Sequence, residues 1–173
     1  MQNFVVMLCG PHEHDHEVSP QFHRIELALH VARRDQSELL ICGDARNGLD
    51  VALFVEHVGR AGYVATPVFN EVGSTITDVR AALAYIGCHT PRISSGTVRV
   101  VTDDWHMERA LTMVRGEASQ YLDDGQGYVF RPITAVGGVP PARWQLEREA
   151  QGIQDYRSGR YAPNKSLSWG KPH

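Results

Sequence analysis

The feature that most constrains this chain is a repeated change of hydrophobic rhythm. Short apolar runs at residues 4–9, 38–42, 64–69 and 97–102 alternate with stretches whose apolar residues recur every three or four positions. Those positions are Phe22, Ile25, Leu29 and Ala32 in residues 20–34, and Leu49, Ala52, Leu53, Val55 and Val58 in 49–61. They continue with Ile76, Val79, Leu83 and Ile86 in 74–86, and Met107, Ala110, Leu111 and Val114 in 104–115. Such spacing puts apolar groups on one face of a helix, whereas a short continuous apolar run fits a strand covered on both sides. Strand and helix units repeated in this order predict a Rossmann-like three-layer α/β sandwich with a mostly parallel central sheet. A strand at 128–133 brings the sheet to about five, and "GGVPPARWQLEREAQGIQDY" reads as a loop and a late helix. The chain of 173 residues fits one domain. Residues 1–135 are expected to carry the Rossmann-type unit, with a C-terminal helix and irregular tail, 136–173, packed on it.

In open parallel sheets ligands gather beyond the carboxyl ends of the strands. The four loops there, "GPHEHDHEVSP", "GDARNGLD", "NEVGSTITD" and "DDWHMER", are all rich in polar and small residues. The expected partner is therefore a small molecule. A net charge of −3 gives no electrostatic reason to expect nucleic acid. The first apolar run is too short to cross a bilayer and no basic segment precedes it. Cys9, Cys42 and Cys88 are odd in number, widely spaced and form no CxxC. A reduced, cytoplasmic protein is the expectation.

The last of these loops is the densest in ionisable groups. Asp103 or Asp104 is expected to cap the following helix. His106 and Arg109, three apart, share a helix face. Near a helix N-terminus they would meet an anionic group held by free N–H donors, and His106, with an ordinary pKa of about 6.5, is the acid–base candidate. His106, Arg109 and Asp104 are the candidate catalytic residues. Ser74 and Thr77 sit where they either cap a helix or line a ligand pocket, with Glu71 just before them. Gly43, directly after an apolar strand, suits a close backbone approach, and Asp44 a ribose hydroxyl or a metal. Arg24 is placed to reach a phosphate or carboxylate. His12, His14 and His16 alternate with acids, so in an extended loop three imidazoles share one side and offer a divalent metal site. No GxGxxG, P-loop or GxSxG is present.

These fragments resemble the ElyC/SanA/YdcF family. "VTDDWHMERA" keeps Val101, Thr102, His106, Met107, Arg109 and Ala110 of the motif V-T-x-x-x-H-M-x-R-A. "EVGSTITDVRA" keeps Glu71, Ser74, Thr77 and Ala81, with Val79 and Arg80 where Glu and Asn are usual. "CGD" keeps Gly43, the first loop keeps Gly10, and the first helix keeps an arginine, Arg24. The resemblance spans about residues 4–135 and is closest to the soluble, YdcF-like branch. It implies a Rossmann-like fold with a ligand site of Gly10, Arg24, Gly43, Asp44, Glu71, Ser74, Thr77 and Thr102 beside His106 and Arg109. It further implies a nucleotide-like or phosphorylated ligand, S-adenosylmethionine among them, and hydrolysis or group transfer. Two other functions fit the residues: a metal-dependent hydrolase built on His12, His14 and His16, and a sensor that binds the same ligand without turnover.

Overall fold

The computed structural model describes residues 1–9, 22–44, 48–70, 74–137 and 140–161. Five strands and five helices alternate through it. They are β1 (Phe4–Leu8), α1 (Phe22–Asp35), β2 (Glu38–Asp44), α2 (Gly48–Arg60), β3 (Ala65–Asn70), α3 (Thr75–His89), β4 (Ser94–Asp103), α4 (Asp104–Tyr121), β5 (Gln126–Ala135) and α5 (Arg143–Arg157). The strands form one sheet in the order β3-β2-β1-β4-β5, and every pairing is parallel. The three-layer Rossmann-like architecture is therefore present.

Strand alternation divides the core in two. Val6, Leu8, Leu40, Cys42, Val68, Val98 and Val100 face one side, where Ile76, Val79, Leu83 and Ile86 of α3 and Ala110, Met113 and Val114 of α4 cover them. Val5, Met7, Leu39, Ile41 and Val101 face the other, under Ile25, Ala28, Leu29 and Ala32 of α1 and Val51, Phe54 and Val58 of α2. The central strand β1 is wholly buried, as a strand covered on both faces must be. The two prolines within strands, Pro67 and Pro132, fall in β3 and β5, the two edges, where a missing N–H is tolerated.

Two boundaries depart from the hydrophobic pattern. Val64, expected in the third strand, lies before Ala65 and is 82% exposed. β4 and β5 each run ten residues and pair from Ser94 with Gln126 to Asp103 with Ala135. Their extensions are polar or small, so apolarity does not mark them. Gly96 is required there by packing: a Cβ would lie 2.0 Å from the Gln2 carbonyl oxygen.

The order of connection fixes where a site can form. The chain moves outward from β1 through β2 to β3, then returns to place β4 on the other side of β1. Strand order thus reverses between β1 and β4, opening a crevice beyond their carboxyl ends. Among the described residues no helix is long and apolar enough to cross a membrane.

Candidate active site

At the reversal point β4 ends on Asp103, whose carboxylate is turned toward α1. Arg24 Nε donates to Asp103 Oδ1 at 2.9 Å, and Arg24 Nη2 donates to Asp103 Oδ2. Arg24 Nη1 also donates to the Leu8 carbonyl at 3.1 Å, tying α1 to the end of β1. His23 Nε2 lies 2.7 Å from the same Asp103 Oδ1. Burial pushes the Asp103 carboxyl upward, but the bonds and charge of Arg24, with His23, outweigh it and hold its pKa below the ordinary carboxylate value.

The first-turn bond expected of Asp103 or Asp104 falls to Asp104, which accepts from the Trp105 N–H. Asp103 does stand at the N-cap position of α4, yet its side chain makes no capping bond, because α1 has claimed both oxygens. Asp104, expected among the catalytic residues, is exposed and accepts from the Trp105 N–H at 2.7 Å. Arg24, expected to receive a ligand's anion, is likewise committed to a protein carboxylate.

A second cluster forms on the opposite face of the sheet, around α4. His106 and Arg109 share a helix face, as their spacing predicts, and both reach Glu149 of α5. His106 Nδ1 is 2.8 Å from Glu149 Oε2, and Arg109 Nη2 is 2.9 Å from Glu149 Oε1. Arg109 Nη2 also lies 3.3 Å from His106 Nδ1. An ionised carboxylate only accepts, so Nδ1 carries the proton and donates it to Glu149. The Arg109 contact is then two donors converging on one carboxylate. Burial lowers the His106 pKa, Arg109 and Arg24 lower it further by their charge, and Glu149 opposes them. The ring is therefore neutral near pH 7, and its Nε2 is an acceptor. Thr75, the first residue of α3, places Oγ1 3.3 Å from that nitrogen.

Close packing of α5 on α4 sets Glu149 in place. A Cβ at Gly152 would approach Arg109 Cδ at 3.0 Å and Nη1 at 3.1 Å, and one at Gly116 would lie 2.1 Å from the Tyr156 hydroxyl. Glu117 of α4 accepts from Tyr156 at 3.0 Å and from Arg80 of α3 at 2.7 Å. Glu117 thus joins α4 to both α3 and α5.

The remaining expected ligand residues divide clearly. Ser74 and Thr77 form a reciprocal capping box: Thr77 N–H donates to Ser74 Oγ at 3.3 Å, and Ser74 N–H donates to Thr77 Oγ1 at 3.1 Å. Gly43 is needed for internal packing, since a Cβ would sit 2.7 Å from Val51 Cγ2 and 3.4 Å from Cys9 Cβ. Thr102 is fully buried, and its Oγ1 has no hydrogen-bond partner among the described residues. The backbone of Asp44 closes β2 opposite Asn70. Gly10, His12, His14, His16 and Glu71 lie outside the described residues. Among the described residues no group of three or more His, Cys, Asp or Glu is arranged to hold a metal.

Sequence reasoning missed three members of the two clusters: His23, Thr75 and Glu149. His23 and Thr75 adjoin residues it singled out. Glu149 sits in a helix with several acids, and only its proximity in space to His106 distinguishes it. No family model, curated protein or solved structure matches the chain.

Proposed function

We propose that this chain is a cytoplasmic, YdcF-like enzyme that hydrolyses or transfers a group on a small nucleotide-like or phosphorylated ligand, with His106 as its acid–base residue. One observation carries the reading. His106 is desolvated, neutral near pH 7 and fixed by Glu149 so that Nε2 faces a hydroxyl. Desolvation, a fixed tautomer and an acceptor nitrogen turned toward a hydroxyl are what a general base requires. The placement at the strand-order reversal, where parallel sheets bind ligands, supports it further. The buried thiol of Cys42 is in keeping with a reducing compartment.

The paired arginines refine how an anionic ligand would be held. Arg24 and Arg109 each have a carboxylate partner, so direct arginine capture gives way to backbone N–H groups at the starts of α3 and α4. Burial does most to lower the His106 pKa, and the charges of Arg109 and Arg24 act in the same direction.

The test is a thermal-shift screen of metal-stripped protein against nucleotides, sugar phosphates and S-adenosylmethionine, followed by turnover assays on whatever stabilises. Saturation at 100 times Kd adds about 2.7 kcal/mol, a shift of several degrees. His106→Asn is expected to keep that shift and lose turnover. Turnover that survives His106→Asn, or no stabilisation by any member of the panel, would overturn the reading.

A further inference from the structure

Three side chains from three different helices line up in the order carboxylate, imidazole, hydroxyl. Glu149 of α5 holds His106 Nδ1 at 2.8 Å, and His106 Nε2 faces Thr75 Oγ1 at 3.3 Å. This is the arrangement by which a weak hydroxyl nucleophile is activated: the carboxylate fixes the tautomer, and the free nitrogen takes the hydroxyl proton. We propose that Thr75 is a catalytic nucleophile, activated through His106 and Glu149, acting on a phosphate ester. The proposal rests on the acid–base reading of His106 and narrows it.

The surroundings of Thr75 suit that chemistry. Its hydroxyl stands at the first residue of α3, where the N–H groups of Thr75 and Ile76 lie outside the Ser74–Thr77 capping box. Those donors and the positive end of the helix favour charge developing on phosphoryl oxygens. Thr75 is 7% exposed and its hydrogen bond to His106 is buried, so bulk water is kept from the pair.

The step balances within the named groups. Thr75 Oγ1 attacks phosphorus as its proton passes to His106 Nε2. The bond from phosphorus to the leaving oxygen breaks, and that oxygen takes the proton from Nε2. Water then gives a proton to Nε2 and bonds to phosphorus. The phosphorus–Oγ1 bond breaks, and Oγ1 recovers the proton.

The experiment uses the full chain and a fluorophosphonate, whose phosphorus is captured by an activated hydroxyl with loss of fluoride. Peptide mapping by mass spectrometry locates the adduct. The expected result is an adduct on Thr75, formed at least about tenfold more slowly in His106→Asn. Thr75→Ser should retain the adduct at that position, which guards against loss of folding in Thr75→Val. Absence of the adduct from Thr75 in protein of normal melting temperature overturns the proposal. So does p-nitrophenyl phosphate turnover that needs His106 but survives Thr75→Val, an outcome that leaves the acid–base function standing.

Discussion

The two faces of the sheet carry the same three kinds of side chain at the same edge and use them differently. On the α1 face Arg24, His23 and Asp103 meet; on the α4 face Arg109, His106 and Glu149 meet. In the first trio the carboxylate belongs to the central sheet, and the arginine binds Asp103 twice and Leu8 once. In the second the carboxylate comes from the late helix α5, Arg109 Nε is buried without a partner among the described residues, and the histidine ring reaches onward to Thr75. The first trio clamps α1 to the ends of β1 and β4. In the second, His106 Nε2 extends the cluster to the Thr75 hydroxyl. Composition alone does not distinguish the two trios; the partners each histidine finds do.

Substitutions that separate the two should therefore damage different properties. The largest effect expected is on rate: His106→Asn should lower turnover by about 10²–10⁴-fold with little change in melting, measured on the ligand found by screening. Asp103→Ala should do the reverse at comparable energetic scale. It leaves Arg24, whose side chain is 6% exposed, buried without its counter-charge, and unfolding free energy should fall by about 3–5 kcal/mol in denaturant titration. If Asp103→Ala proves as stable as the parent while losing activity, the roles assigned to the two trios are exchanged.

How much of this could be read from the residues follows from what each signal measures. The fold was legible because burial on two faces leaves a trace in every strand: Phe4 to Leu8 is apolar throughout, and α1 to α4 repeat at helical spacing. His106 and Arg109 were legible as a pair because helical geometry fixes neighbours three residues apart. Glu149 was not, because its pairing with His106 spans 43 residues and depends on how α5 settles against α4. Nor were the fates of Asp103 and Arg24. The pattern identified both as charged groups near one edge; only the tertiary approach of α1 turns them toward each other. Ser74 and Thr77 were legible as a cap or a pocket, and the hydrogen bonds select the cap.

Acid should act on the trios in sequence, with smaller effects than either substitution. The folded His106 pKa lies below its unfolded value of about 6.5, so the unfolded chain binds the proton first as pH falls. Stability contributed by the neutral ring is present above about pH 6.5 and declines as pH drops toward the folded value. Asp103 is also lowered, so its contribution is present above its unfolded pKa of about 3.9 and is lost as pH falls through the folded one. Melting temperature against pH should fall in two separate windows, and His106→Asn should remove the upper one alone. A single fall below pH 4 in the parent would contradict the buried neutral imidazole.

The smallest effect sharpens the comparison most, because it reaches the second trio without deleting any member of it. Gly152 lies in α5, where alanine favours the helix by about 1 kcal/mol. The added Cβ, however, would press on Arg109 Cδ and Nη1 at 3.0 and 3.1 Å. Arg109 is a flexible side chain, so it can yield by a few tenths of an ångström, and the two terms should nearly cancel. Gly152→Ala is thus expected to change unfolding free energy by less than about 1 kcal/mol. Any yielding of Arg109 is transmitted to Glu149 and through it to the His106 ring, so the pH profile of turnover should shift although stability does not. None of the described glycines would set a Cβ first against Arg24, which is held at three points in the first trio.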